Sequence, residues 1–183
     1  MLAKPLILKH ITTTLIGPHG ITDIIHANNT NILPQMSATY GSTLGSSLLL
    51  DHFHMNPVLD ISFLIASIIH FRRDMPRSPT IPRYIVSASF LLFSYQYFPE
   101  LFILYMLTIH VPHHYRLNWE FMKQTPKFSV LLIVFTSVFM GFLGNSINDL
   151  ENDLLLTTAK GIIISHIIYE ELFIFRNENT IEN

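Results

Sequence analysis

The sequence predicts an all-α fold, a polytopic membrane helical bundle of about six to seven spans, organised as one integral-membrane domain over residues 1–183. Three observations predict it. Apolar residues make up 49% of the chain and charged residues only 13%, against about 25% charged in ordinary soluble domains. Mean hydropathy is +0.38. Apolar runs recur along the chain, separated by polar or proline-bearing connectors, and several approach the ~20 residues that cross hydrocarbon.

Leu6 to Ala27 reads as a first span interrupted by Gly17 and Pro18, residues that free backbone groups or admit close approach. Met1 to Ile16 has the apolar body and leading lysines of a signal peptide, but no small-residue cleavage site comes after it, so it is assigned to the span. Met36 to Leu50 is the second span, with Gly41 and Gly45 in the small-xxx-small spacing of packed membrane helices. Pro57 to Phe71 is the third, carrying Asp60 near its start and His70 at its end, and Tyr84 to Tyr97 is the fourth. Phe98-Pro99-Glu100 turns the chain into the fifth, Leu101 to His114. Phe128 to Gly144 has no charged residue and is the clearest span, and Leu154 to Phe175 is the last.

Charge sets an expected topology. A hairpin of the fourth and fifth spans puts the basic connectors 72–83 and 115–127 on one face, predicted cytoplasmic, and the acidic loop 145–153 on the other. Net charge is −2, which leaves no basic field to recruit nucleic acid. There are no cysteines, so disulfides, thiolate metal sites and cysteine nucleophiles are excluded together, and any metal must take nitrogen and oxygen ligands.

Ten histidines are the compositional anomaly, and imidazole suits iron, copper and zinc. His10, His52 and His54 read as interfacial or capping groups, and His26 as a residue facing the Asn28-Asn29-Thr30-Asn31 loop. His19, His70, His110, His114 and His166 instead lie in or against apolar spans, where an ionisable group is read as functional. The topology brings most of them toward the basic face. His110 and His114 are four apart, one helical face, although Pro112 predicts a kink between them with Val111 outside helical geometry. The kink would turn His113 aside into a supporting role. Asp23, Asp74 and Glu170 each come four residues after a histidine (His19, His70 and His166) and are candidates to hold a ring nitrogen.

These residues carry a family resemblance. Gly17-Pro18-His19-Gly20-Ile21-Thr22-Asp23 resembles the Pro-His-Gly-x-x-Asp motif of the Brp/Blh family of membrane β-carotene 15,15′-dioxygenases. His70-Phe71-Arg72-Arg73-Asp74 is similar to its His-Phe-Gly-x-x-Asp segment, His110 to His114 to its His-x-x-x-His helix, and Ser165-His166 to its C-terminal Pro-His segment. The order is the family's and spans nearly the whole chain. Arg72 stands where the family has glycine, Ser165 where it has proline, and the chain is shorter between His70 and His110. The resemblance implies an Fe(II) enzyme with His19, His70, His110 and His114 as catalytic metal ligands. It further implies β-carotene and O2 as substrates, retinal as product, the lipid bilayer as medium and a functional link to a retinal-binding rhodopsin.

Two other readings stay open. His110-Val111-Pro112-His113-His114 is also a His-x-x-His-His box of membrane di-iron desaturases and hydroxylases, and the histidines would equally serve a non-catalytic membrane subunit, as structural or pigment-binding groups.

Overall fold

The computed structural model describes residues 17–74, 80–97, 99–146 and 153–174, and these residues are helical with short turns. A 3-10 turn, Gly17–Ile21, leads into α1, Thr22–Asn29. Then come α2, Leu33–His52, and α3, Asn56–Phe71, each with proline in its first turn, where the missing N–H costs nothing. After α4, Thr80–Tyr97, α5 runs over Pro99–Tyr105 and widens into a π turn, Met106–His110, before α6, Val111–Leu117. The short α7, Trp119–Gln124, occupies part of the expected basic connector 115–127. Helix α8 spans Pro126–Ser146, and α9, Asp153–Tyr169, ends in a second π turn, Glu170–Ile174. The expectations for His10 and for most of the acidic loop 145–153 fall outside the described residues.

Among the described residues no helix is long and apolar enough to cross a membrane. The all-α expectation holds, and the helices coincide closely with the apolar runs. Several hydroxyl side chains bond within their own helices. Ser62 donates to the Val58 carbonyl at 2.8 Å, Thr136 to Leu132 at 2.7 Å and Thr158 to Leu154 at 2.7 Å, even where the side chain is exposed.

The chain divides into two compact units, one from residues 1–31 and 74–148, the other from 32–73 and 149–183. In the first, the 3-10 turn packs against α8 and α6, and α1 packs against α7. The Asn29 amide fixes the latter pair by donating to the Phe121 carbonyl at 2.7 Å. In the second, α9 packs against α2 and α3. The close approach there is not made by Gly41 or Gly45, which have nothing within 4 Å of an added Cβ, but by Gly161. A Cβ at Gly161 would stand 3.0 Å from Leu44 Cδ1 and 3.1 Å from Ser47 Cβ. The two isolated charges of this unit, Asp60 and Lys160, form an ion pair.

Candidate metal centre

The first unit gathers His19, His110 and His114. His19 sits on the 3-10 turn, which Thr22 closes by donating its hydroxyl to the His19 carbonyl at 2.8 Å. His110 ends the π turn and His114 lies one turn further on, both about 1% exposed. Their ring centroids are 4.4 Å apart, and His19 stands 5.1 Å from His110 and 5.0 Å from His114. One ring nitrogen from each falls within 4.8 Å of the others, so the three can converge on one ion.

Pro112 does not kink the pair apart. Val111 has φ −59° and ψ −47°, ordinary helix, and Pro112 occupies the first turn of α6. A proline ring inside a helix collides with the carbonyl four residues back and leaves it without a donor. The extra residue of the π turn Met106–His110 absorbs that mismatch upstream. His110 and His114 therefore keep a shared face. The end of α6 is held by Asn118, fully buried, whose side-chain amide and backbone N–H both donate to the His114 carbonyl at 3.1 Å.

Asp74 orients His110. The His110 Nδ1–H donates to Asp74 Oδ2 at 2.7 Å, and the Tyr105 hydroxyl donates to the same oxygen. This fixes the tautomer and leaves the His110 Nε2 lone pair for a ligand. Burial pushes the Asp74 carboxyl above its ordinary value, and the Tyr105 hydrogen bond and the nearby His113, His114 and His19 rings counter the push. The expected pairing of Asp74 with His70 is replaced by this one, because α3 ends at Phe71 and the Arg72–Asp74 segment is a 3-10 turn, so the i,i+4 register stops.

His113 lies at the margin, half-buried, its ring 6.3 Å from that of His114. His26 corrects its expectation. It is buried rather than wet, edge-on to Phe121 at 4.7 Å. Asp23 is fully buried and acts electrostatically on His26. His54 sits at a turn with φ 56°, in keeping with a peripheral role.

His70 belongs to the second unit, at the end of α3, 4% exposed. There its ring centroid is 5.4 Å from that of His166. Glu170, fully buried at the start of the π turn, places Oε2 3.5 Å from His70 Nδ1 and 3.6 Å from His166 Nε2. The neighbouring Glu171 takes a bidentate pair from Arg73, Nε at 2.6 Å and Nη2 at 2.5 Å, with Arg72 at 3.4 Å. Arg72 also caps α3 by donating to the Ile69 carbonyl.

Sequence reasoning missed Tyr105 and Asn118. Tyr105 lies five residues before His110, off the i,i+4 register, and only the π turn makes it relevant. No protein-family model, no curated protein and no solved structure matches the chain.

Proposed function

We infer that the chain is a multi-pass membrane dioxygenase that cleaves the central 15,15′ double bond of β-carotene with O2 to give two retinals, using non-haem Fe(II). The observation that carries the reading is the buried His19–His110–His114 set with a carboxylate behind His110. Three neutral imidazoles with one orienting carboxylate fit a ferrous ion that keeps open positions. Bound there, iron would supply dioxygen activation. The balance needs no further reductant: one C=C and one O=O bond break, and two C=O bonds form.

The chain's own residues supply position and exclusion of water. Asp74 and Tyr105 hold the His110 ring, and Asn118 anchors the backbone of His114. Tyr105 packs its ring 4.8 Å from Phe90. Phe90 in turn lines an apolar groove along α4 with Ile85, Val86, Phe93 and Tyr97. That continuity from groove to Tyr105, Asp74 and His110 suits a long hydrocarbon substrate better than a polar one.

A membrane setting is part of the proposal. Val130, Leu131, Val134, Phe135, Val138 and Phe139 form an exposed apolar stripe on α8. Larger continuous apolar faces of this kind mark contact with lipid or a partner. The basic loops 72–83 and 115–127 would then be cytoplasmic. The test is expression in β-carotene-accumulating cells. Loss of orange colour with retinal formation, abolished by His110→Ala, is expected; intact β-carotene beside well-expressed, iron-loaded protein would refute the reading.

A further inference from the structure

The second unit contains a group of side chains that the carotenoid reading uses only in part. His70 closes α3, His166 faces it from α9, and Glu170 begins the π turn at the end of α9. All three are buried, Glu170 completely. We propose that His70, His166 and Glu170 bind a divalent first-row metal ion of their own, so that the chain carries two ions, one in each unit.

Distances point to an ion rather than to hydrogen bonds. An N–H donating to a carboxylate closes to about 2.7–3.2 Å, yet Glu170 Oε2 stands 3.5 Å from His70 Nδ1 and 3.6 Å from His166 Nε2. Donors at about 2.0–2.2 Å from a shared ion in tetrahedral array stand roughly 3.3–3.6 Å apart. Both gaps therefore match the edge of a coordination polyhedron. One ligand atom from each of the three residues lies within 4.8 Å of the others.

The chemistry of the donors points the same way. Two imidazoles and one carboxylate are a donor set suited to iron, manganese or zinc. This differs from the all-imidazole set of the first unit. The wide turn contributes too: it sends Glu170 to the histidines while Glu171, next in the chain, is gripped by Arg73. The proposal stands apart from the carotenoid reading except that it assigns His70 to this set rather than to a four-histidine centre.

The experiment is metal counting on the purified full chain, loaded with Co(II) and freed of excess, with elemental analysis per chain. Two cobalt ions are expected in the wild type, one in Glu170→Gln, one in His166→Asn, one in His110→Asn, and none in Glu170→Gln combined with His110→Asn. Helical circular dichroism must match the wild type. If the Glu170 and His166 variants fail to fold, the wild-type and His110→Asn counts decide: two and one support the proposal, and one and none overturn it. A single ion in the wild type, or two ions retained by a folded Glu170→Gln, also overturns it. Retinal formation by a one-ion protein would refute this site alone, and two ions without β-carotene cleavage would refute the dioxygenase reading alone.

Discussion

Asp74 is the residue through which the first histidine set is most sensitive to a small change. Its carboxylate and His110 are 2.7 Å apart, each with a side chain 2% exposed, so no water can take over if either is altered. A hydrogen bond to a charged group contributes about 1.5–3 kcal/mol, and losing the partner behind a metal-bound histidine costs about 10–100-fold in affinity. Asp74→Asn keeps an acceptor for the His110 Nδ1–H but loses the charge, which places it near the tenfold end. Asp74→Ala strands both the His110 Nδ1–H and the Tyr105 hydroxyl, which places it near the hundredfold end, about 2.7 kcal/mol. The assay is Co(II) titration of the full chain in the Glu170→Gln background, where the second set is disabled. His113→Asn, altering a ring at the margin of the set, is the control and should bind as the parent does. Equal affinity for Asp74→Ala and its parent would refute the claim that Asp74 orients a ligand.

Two further predictions concern packing. Gly161→Ala gains about 1 kcal/mol of helix propensity but presses on Leu44 and Ser47 at 3.0–3.1 Å, an overpacking cost of about 1–3 kcal/mol. A fall in Tm of a few degrees is expected, while Gly45→Ala, with open space around it, should raise Tm; a rise of similar size for both would sink the assignment of Gly161 as the contact. Asn118→Ala removes a buried donor from the His114 carbonyl and should cost about 1–2 kcal/mol in thermal unfolding, with Co(II) binding weakened in the same background as above. An unchanged Tm would show that the backbone N–H alone holds that carbonyl.

Local pattern made much of this molecule legible. Helices α2, α3, α4, α8 and α9 fall where the apolar runs end in proline, turn or charge, and the i,i+4 spacings placed His110 with His114 and His166 with Glu170. The failures were inferences that carried helical register past a point where the helix stops or changes pitch, or that took spacing and near neighbours as a guide to tertiary contact. Asp74 pairs by sequence spacing with His70 and instead holds His110, because the α-helix ends at Phe71. Gly41 and Gly45 have the spacing of a packed face, but spacing does not say which face meets a neighbour, and the contact uses Ser47 and Gly161. His26 has polar neighbours in sequence, whereas Phe121, distant in sequence, buries it.

The two wide turns show why register was the weak point. An apolar period near 3.6 is the same on either side of a single inserted residue, so hydrophobicity does not reveal a π turn. Yet the insertion rotates the downstream helix by about a hundred degrees relative to the upstream one. At Met106–His110 that rotation lets Pro112 stay helical and sets Tyr105, five residues back, on the carboxylate behind His110. At Glu170–Ile174 it separates two adjacent glutamates, one toward His70 and His166, the other toward Arg72 and Arg73. A regular α-helix through either segment would lose one of these pairings, so the mismatched backbone hydrogen bonds of each turn persist where they position a histidine or the carboxylate that serves it.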